Sequence, residues 1–528
     1  MEGQTTRTPV PPGPGAYAAG QMRRGRWGWA DGVRGVLILL ALLVGRAGAA
    51  ELPLWLGPAR PAVVAGWPAA EMAGACPEPT GPLERALWEA VRTPGGSDLS
   101  CGNGFVEFLR TPRDLNTPVD AFDRIAGQVV GARSEVLLTS MEWRGGPGMP
   151  GWTFARAVRD LHARVQAAPG EYPQGVAVRV LLGGYPDPLD PDGTGPARTL
   201  VRDLRALGVP LQDAALGWQV SVLNFRFLPH SHVKLHVIDG QDLTVAGFNF
   251  SPWHLPAGGP ESLPGARSLH DLGLRLRGPV AQAGVAAFDD LWRHSWQLRC
   301  PPLVAPDAVN AACVRGEADP VSHPPEAQQA VRAGEARAFL LYRRPGGEDQ
   351  ADRAQLALIG AARESLDLMQ ADFGTSLTCW FAFLRPDPCR AQDQPPYFRA
   401  VLAALERGVR VRLLLVDYGV GAVPNRSAVA LMRRELRRRG LEDRFEARYT
   451  TFALHTKALV VDGSVVVAGS INFHFSAWGP WGLAEAALAT SDAGAVAAQS
   501  ASFAEAWRTS SRPVPDEWWL GRIPVGAP

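Results

Sequence analysis

The sequence predicts an α/β fold in which helices cover both faces of a sheet, and it predicts that this unit occurs twice. Strand-like apolar segments alternate with helical stretches along most of the chain, which is typical of sheets covered by helices on both faces. The same series of segments lies on each side of a stretch rich in Pro and Ala. A duplicated α/β unit joined by a linker is therefore the expected architecture.

Three pairs of matching segments carry the repeat. In each copy, a helix and a strand are followed by a second helix and strand, then by a third helix and a β-hairpin. The matching segments are residues 132–138 with 362–368, 176–182 with 409–415, and 204–208 with 436–440. The predicted division of the chain is a signal peptide over 1–50, an N-terminal extension over 51–105, a first domain over 106–300, a linker over 301–335, a second domain over 336–515 and a C-terminal tail over 516–528.

Composition excludes several classes of protein. The 528 residues are 46% apolar and 20% charged, values of a globular chain rather than a disordered one. Only one long apolar run is present, which excludes a protein with many membrane spans. The net charge of +1 provides no overall field that would attract nucleic acid or an anionic membrane.

The N-terminus has the order of segments found in secretory signals. Arginines precede the nine-residue apolar run Val36–Val44, and small residues follow it at Ala47–Ala50. We therefore expect a cleaved signal over 1–50, with Met22 as the true start, and a secreted or periplasmic protein. The apolar run spans about 14 Å as a helix, against roughly 30 Å of bilayer core, so a membrane anchor is the less favoured alternative.

The six cysteines are consistent with an exported protein, because an even number of cysteines in such a chain suggests disulfides. They occur as near neighbours in the sequence, and we expect the three local pairings. No C-x-x-C pattern is present, so zinc-ribbon and thioredoxin sites are disfavoured. The expected disulfides are Cys76–Cys101, Cys300–Cys313 and Cys379–Cys389.

The lysines are the strongest functional signal. Of 53 basic residues only two are lysines, and each lies in an H-x-K-x-x-x-x-D pattern that an asparagine follows. In a chain that uses arginine elsewhere, a retained lysine indicates that the site needs a compact ammonium group. The candidate catalytic residues are His232, Lys234, Asp239 and Asn249 in the first motif, and His455, Lys457, Asp462 and Asn472 in the second.

Strand geometry predicts how each motif is arranged. Side chains at positions i and i+2 share one face of a strand, so histidine and lysine project together. An Asp-Gly turn follows, and we expect Asp239 and Asp462 to cap the turn or support the site from behind. A turn centred just after each glycine sets the residues that face each other. The expected facing pairs are Asn249–His232, Gly247–Lys234, Asn472–His455 and Ser470–Lys457.

Two imidazoles, two ammonium groups and two amides together fit a phosphoryl group. Their donors neutralise its non-bridging oxygens. One imidazole can attack phosphorus while the other protonates the leaving oxygen, through a covalent phosphohistidine. A zinc site at His230, His232 and His236 is the alternative, but Lys234 lies among these histidines and the second copy offers only His455. We expect no metal and no cofactor.

A basic run covers residues 433–439. It is either a phosphate or nucleic-acid patch or the solvated face of a helix, and the second interpretation is favoured because most charge runs have that role.

At the two motifs the chain resembles the phospholipase D superfamily, which carries two H-x-K-x4-D motifs, each followed by G-[GS]-x-N. The likeness covers most of residues 105–510, and the first copy departs only at Ala246, where the family usually has Gly. The resemblance implies two tandem α/β/α sandwiches related by pseudo-two-fold symmetry, which share one active site without a metal. It assigns the nucleophile to His232 and the acid/base role to His455.

The resemblance also implies a carboxylate after each motif that orients a histidine ring. The candidates are Asp271 and Glu485. Glu485 departs from the family pattern nearby, because Leu483 stands where the family often has Asn.

Within the superfamily, the chain looks most like secreted bacterial phospholipases D, through its signal, size, cysteine pairs and a Gln370-x-Asp372 segment. This implies a metal-independent phospholipase D, a monomer that hydrolyses phospholipids at a membrane or vesicle surface or transfers the phosphatidyl group from them to an alcohol. Trp253, Trp478 and Trp481 either meet lipid or pack in the core. The alternatives are a cardiolipin-synthase-like phosphatidyltransferase, an extracellular nuclease, which the low net charge disfavours, and a non-catalytic binding module.

Overall fold

Two mixed β-sheets with helices on their faces make up the part of the chain that the computed structural model describes. That part is residues 76–92, 96–112, 119–184, 190, 192–226, 229–257, 267–380, 389–418 and 422–515. The predicted signal over 1–50 and the predicted tail over 516–528 lie outside the described residues.

The first sheet has the spatial order β1-β8-β7-β6-β2-β3-β5-β9-β10, with β4 paired to β5. Its strands are β1 Gly104–Thr111, β2 Glu135–Ser140, β3 Val176–Leu182, β4 Gln212–Asp213, β5 Trp218–Phe225, β6 Leu235–Ile238, β7 Asp242–Ala246, β8 Leu269–Arg277, β9 Ser295–Arg299 and β10 Val314–Glu317.

The second sheet has the order β11-β18-β17-β16-β12-β13-β14-β19. Its strands are β11 Ala338–Arg343, β12 Ser365–Gln370, β13 Arg410–Leu415, β14 Phe445–Thr450, β16 Lys457–Val461, β17 Val465–Gly469, β18 Glu485–Thr490 and β19 Ser511–Pro513. The short strand β15, Ala453–Leu454, belongs to the second copy but pairs with β8 of the first sheet.

The two sheets match strand for strand over seven positions, from β1 through β5 in one and from β11 through β14 in the other. Helical crossovers join the parallel strands β2, β3 and β5, and also β12, β13 and β14. Tight turns join the antiparallel hairpins β6–β7 and β16–β17, as these connections require. The predicted α/β fold of two tandem sandwiches is confirmed.

Apolar clusters fill three layers of the described structure. One lies between the first sheet and α2–α4, a second between the other sheet and α7, α9 and α10, and a third joins the two sheets with α5 and α11. Because both faces are covered, the central strands are buried along almost their whole length. The helices are α1 Pro82–Val91, α2 Ala121–Gly131, α3 Pro150–Ala167, α4 Gly195–Ala206, α5 Val280–Arg293, α6 Val309–Ala312, α7 Gln350–Ala361, α8 Leu377–Trp380, α9 Pro396–Glu406, α10 Ala422–Arg437 and α11 Ala493–Thr509.

The two hairpins are one residue out of the predicted register. Ile238 pairs with Asp242 and Val461 pairs with Val465, so each loop closes over three residues instead of two. The loop aspartates have φ of 53° and 50°, a left-handed conformation that Asp tolerates better than most residues. The predicted small residues are therefore wrong by one position, because this register places Ala246 opposite Lys234 and Gly469 opposite Lys457. The histidines and asparagines lie beyond the paired residues of each hairpin.

Residues 301–335, predicted as a linker, also take part in the first sheet, because β10 pairs with β9. The side chain of His323 is buried between Glu135 and Asp289, with Nδ1 2.8 Å from one carboxylate and Nε2 3.0 Å from the other. Arg179 pairs with the same glutamate. This buried ionic cluster holds the connecting segment on the first copy.

Disulfides join all three neighbouring cysteine pairs, each with a short Cα–Cα distance. The bonds are Cys76–Cys101 at 5.7 Å, Cys300–Cys313 at 4.3 Å and Cys379–Cys389 at 5.8 Å between Cα atoms.

Candidate active site

The two motif histidines lie just before their hairpins, and each is hydrogen-bonded to the other copy. The N–H of His232 donates to the carbonyl of Ala484 at 2.8 Å, and the N–H of His455 donates to the carbonyl of His270 at 2.8 Å. Those carbonyls belong to the residues immediately before Glu485 and Asp271. Each histidine is thus brought to the carboxylate strand of the opposite copy.

The side chains repeat this crossing. Nδ1 of His232 lies 2.8 Å from Oε2 of Glu485, and Nδ1 of His455 lies 2.5 Å from Oδ2 of Asp271. Both carboxylates are buried. A carboxylate on Nδ1 fixes the ring orientation, so Nε2 of His232 remains for chemistry, whereas Nε2 of His455 lies 3.0 Å from Nζ of Lys457.

Burial sets the protonation of these pairs. Burial, followed by the charges of Lys234 and Lys457, lowers the pKa of His232 well below its usual value. Burial, with the same lysines, also lowers the pKa of His455 well below the usual value. Burial raises the pKa of Glu485 to about 8, although Lys234 opposes this, and burial raises the pKa of Asp271. The resting imidazoles are therefore neutral, and a bound phosphate anion would favour protonating one of them.

The two motif lysines are buried beside the histidines. Nζ of Lys234 donates to the carbonyl of His232 at 2.8 Å, and Nζ of Lys457 donates to the carbonyl of His455 at 2.5 Å. Burial lowers the pKa of Lys234 to about 7, although the charge of Glu485 acts in the opposite direction. An ammonium group already stripped of water gains strongly from an anionic ligand.

The motif asparagines are buried after β7 and β17. Neither Oδ1 of Asn249 nor Oδ1 of Asn472 has a hydrogen-bond partner in the described part of the chain. A buried amide without a partner is costly unless a ligand completes its hydrogen bonding. These side chains are therefore available to a substrate.

Asp239 and Asp462 lie at the hairpin turns, in the turn-capping place that the sequence suggested for them. Asp239 is five residues from Lys234, about 16 Å along an extended chain. Its carboxylate accepts from the backbone N–H groups of residues 133–135, at 2.8 to 3.1 Å. Asp462 does the same at residues 363–365. These aspartates anchor each hairpin to the strand beside it.

The two crossed carboxylates have different neighbours. Oγ of Ser470 donates to Oε2 of Glu485 at 2.5 Å. The equivalent residue in the first copy is Gly247, where a Cβ would collide with the carboxylate of Asp271. Asp271 therefore has no matching hydroxyl, and its Oδ1 accepts from the N–H of Leu272 at 2.9 Å instead.

The departure at Ala246 is compensated within the sheet. Ala246 faces Gly273 across β7 and β8, whereas Gly469 faces Ala487 across β17 and β18. Each pair contains one alanine and one glycine. The first copy has exchanged their places and kept the volume, which close packing tolerates best.

His254 is a site residue that sequence reasoning missed. It is buried, its ring centroid lies 5.5 Å from that of His455, and its Nδ1 lies 3.2 Å from Oγ1 of Thr111. Ligand atoms of His254, Asp271 and His455 lie within 4.8 Å of one another, close enough to share a metal. However, Nζ of Lys457 lies 3.9 Å from Asp271, so a cation already occupies this environment and disfavours a second one.

The zinc set considered from sequence is not assembled among the described residues. Nδ1 of His232 is engaged by Glu485, and Nδ1 of His236 is buried without a hydrogen-bond partner there. Among the described residues, the group of possible metal ligands that lie close together is His254, Asp271 and His455, and it includes none of these three histidines. These three histidines therefore do not present a common set of donors.

Two further carboxylates follow equivalent strands, Glu142 after β2 and Asp372 after β12. Burial lowers the pKa of both motif lysines. The charge of Asp372 opposes this shift at Lys457, and the charge of Glu142 opposes it at Lys234. Of these two carboxylates, only Asp372 was marked in the sequence, through its place in the Gln370-x-Asp372 segment of the family likeness.

The three tryptophans that follow the motifs differ in burial, which bears on whether they pack in the core or meet lipid. Trp478 packs in the core, and its Nε1 donates to the carbonyl of Asn472 at 2.8 Å. Trp481 is 63% exposed. Trp253 is half-buried.

Comparison with known families supports the superfamily that the motifs suggested. Residues 356–507, which include the second motif and Glu485, match the family described as "Cardiolipin synthase, PLD-like domain". The match covers most of the second copy, and together with the two motifs it supports the phospholipase D superfamily for this chain. The crossed histidine–carboxylate pairs described above join both copies into a single candidate site of this superfamily.

Two of the matching proteins are named for the synthesis of a phospholipid. Cardiolipin synthase B of Escherichia coli (strain K12) is 25% identical over 316 residues, which cover 60% of this chain and 63% of that protein; the O157:H7 protein matches equally. The phosphatidylserine synthase structure from Haemophilus influenzae Rd KW20 has a TM-score of 0.51 at 12% identity, over 82% of this chain and 92% of that one. The latter likeness concerns the fold alone.

These comparisons overturn two expectations. The curated relatives are named cardiolipin synthase B, and on this likeness the prediction of a secreted or periplasmic protein is wrong. The secreted hydrolase favoured from sequence is not supported, and the cardiolipin-synthase-like alternative fits the relatives better. Within the described residues, no helix combines the length and apolarity needed to cross a bilayer. The monomeric state and the lack of nucleic-acid binding remain predictions.

Proposed function

We propose that the chain is a cardiolipin-synthase-like phosphatidyltransferase, which moves the phosphatidyl group of one phospholipid to an alcohol through a phosphohistidine. The observation that carries this proposal is the pair of buried imidazoles, each hydrogen-bonded through Nδ1 to a carboxylate of the other copy. Two such pairs supply a nucleophile and a separate acid/base at one site. The names of the relatives support phospholipid as the substrate class and transfer as the reaction.

In the first step, Nε2 of His232 attacks the phosphorus of the donor lipid. The bond from phosphorus to the leaving alcohol oxygen breaks, and protonated His455 gives that oxygen its proton. Lys234, Lys457 and the motif amides bind the non-bridging oxygens, where charge develops. Glu485 balances the positive charge of the phosphorylated imidazole.

In the second step, the acceptor alcohol attacks the phosphohistidine. Its hydroxyl proton passes to Nε2 of His455, the bond from phosphorus to His232 breaks, and the site returns to its starting protonation. The side chain of His455 is 24% exposed and that of His232 is 8% exposed. The more open ring suits the group that must meet both the leaving and the entering alcohol.

The test uses vesicles of phosphatidylglycerol with the full chain in EDTA. We expect cardiolipin and glycerol to form in equal amounts without added metal, and we expect His232→Asn to abolish both. His294→Asn is the matched control, because this partly exposed histidine at the end of α5 lies outside the site and hydrogen-bonds a backbone carbonyl.

The other products would contradict the proposal in distinct ways. Phosphatidic acid and glycerol without cardiolipin would indicate a hydrolase. Nicking of plasmid DNA beside intact lipid would indicate a nuclease. A folded protein that binds the vesicles and yields no product from phosphatidylglycerol or phosphatidylcholine, with glycerol or ethanol as acceptor, would indicate a binding module.

A further inference from the structure

A cavity of about 460 Å³ lies in the second copy, away from the motif residues. Its walls are one face of α9, the C-terminal end of α10 and the segment 389–392, which follows the Cys379–Cys389 disulfide. The lining positions on α9 are residues 399, 402, 403 and 406, a spacing that puts them on one face of a helix. Five arginines line the cavity: Arg390, Arg399, Arg434, Arg438 and Arg439.

The acidic residues of the cavity are outnumbered. Glu435 is buried and accepts from Arg438 at 3.0 Å and from Arg439 at 2.9 Å. Glu406 pairs with Arg439 at 2.7 Å. Two carboxylates thus face five guanidinium groups, and the walls keep an excess of positive charge.

Three of the five arginines contact groups of the protein, and the other two are exposed without a carboxylate partner among the described residues. Arg434 donates to the carbonyl of Cys389 and holds the segment 389–392 against α10. Arg390 and Arg399 are exposed, and neither has a carboxylate partner in the described part of the chain. The basic run over 433–439 is therefore only partly a solvated helix face, because several of its members build this cavity.

We infer that this cavity binds a phosphate-bearing anion, either free phosphate or the headgroup of an anionic phospholipid. Guanidinium groups match phosphate oxygens with paired N–H donors, and concave basic walls concentrate anions. The volume lies in the range of small-molecule sites. The inference is independent of the proposed transferase activity, because the cavity shares no residue with the motifs.

The test compares two charge-matched double variants of the full chain. Arg390→Gln with Arg399→Gln removes the two unpaired arginines and leaves the ion pairs of Glu435 intact. Arg410→Gln with Arg437→Gln is the control, because both arginines are exposed and lie outside the cavity. The probes are inorganic phosphate, followed by calorimetry, and phosphatidylcholine vesicles with and without one fifth phosphatidic acid, followed by flotation.

We expect the cavity variant to lose affinity by about tenfold for each arginine, the usual effect of a charge-assisted hydrogen bond, while the control binds like the wild type. Loss with phosphate alone identifies a soluble ligand, and loss with phosphatidic acid alone identifies a lipid headgroup. Equal binding by the two variants overturns the inference, and so does a wild-type chain that binds neither probe. Transfer activity on phosphatidylglycerol is measured in parallel, so a failure of the proposed function is seen separately.

Discussion

The two histidines occupy matching places in two copies of one fold, yet their surroundings differ. His232 is the more buried ring, and its carboxylate partner Glu485 receives a second hydrogen bond from Ser470. His455 is more open, its partner Asp271 has no such hydroxyl, and a third imidazole, His254, lies beside it. The shared scaffold supplies the imidazole, the ammonium and the amide, whereas the neighbours differ in the way that two separate roles require.

The two copies also differ at the start of their equivalent central strands, β2 and β12. Glu135 begins β2 and is buried in an ionic cluster with His323 and Arg179, whereas the equivalent position at the start of β12 is Ser365. Only the copy that carries the connecting segment has this cluster in the described structure. The copies thus differ at the site and at their connections, while seven strands keep a common order.

The largest expected effect comes from removing the crossed carboxylates. Glu485→Gln and Asp271→Asn should each lower kcat by about 10²- to 10⁴-fold, since an amide cannot balance an imidazolium. Rapid-quench measurements should find that Glu485→Gln slows formation of the phosphohistidine, while Asp271→Asn slows both its formation and its breakdown.

The exposed glutamate of β14, Glu446→Gln, is the control for this prediction. A phosphohistidine that accumulates in Glu485→Gln would contradict the crossed pairing.

A smaller effect is expected on stability, through the cluster found only in the first copy. Burial opposes charge on His323, but hydrogen bonds to Asp289 and Glu135 outweigh it and raise its pKa to about 9. Because its pKa is raised in the folded state, His323 stabilises the fold fully below its unfolded pKa of about 6.5. This contribution is lost as pH rises through about 9. Urea unfolding should therefore show that the free energy of unfolding falls more in the wild type than in His323→Gln between about pH 6.5 and about pH 9. The expected difference between the two is about 3 kcal/mol.

His294→Gln, at the end of the neighbouring helix α5, should keep the pH dependence of the wild type. If His323→Gln and the wild type respond equally to pH, the cluster does not hold the connecting segment in the way described.

The smallest expected effect tests the hydroxyl that distinguishes the two carboxylates. Ser470→Ala should lower kcat by about tenfold, because Glu485 loses one hydrogen bond to a charged group while its contact with His232 remains. Steady-state kinetics would measure this loss. The matched control is Ser464→Ala, an exposed serine in the turn of the same hairpin, which should behave like the wild type. An unchanged kcat in Ser470→Ala would remove the hydroxyl from the functional difference between the copies.

The α/β fold and both motifs were predictable because their signals are local or repeated. Periodicity predicted the alternation of helices and strands, and the two lysines in identical frames marked the motifs. Three strands of each copy were missed, because none has a matching segment among the repeats that were recognised. They are β1, β5 and β8 in the first copy and β11, β14 and β18 in the second. Asp271 and Glu485 were found through the family likeness, with no indication of which histidine each would contact.

The remaining features depend on contacts between distant residues. The crossing of the carboxylates joins residues that are 253 and 184 positions apart, which no local pattern encodes. The hairpin register failed because a loop of three residues has the same Asp-Gly signal as a loop of two. His254 belongs to no motif, and only the folded chain brings it beside His455.

The crossed carboxylates have an evolutionary consequence. The segment 356–507 that matches the family model contains His455 and Glu485, but neither Asp271 nor His232. A single copy therefore cannot complete either histidine–carboxylate pair, and an ancestor with one copy would have needed two chains to assemble one site. With both copies in one chain, each pair forms without an association step between separate molecules.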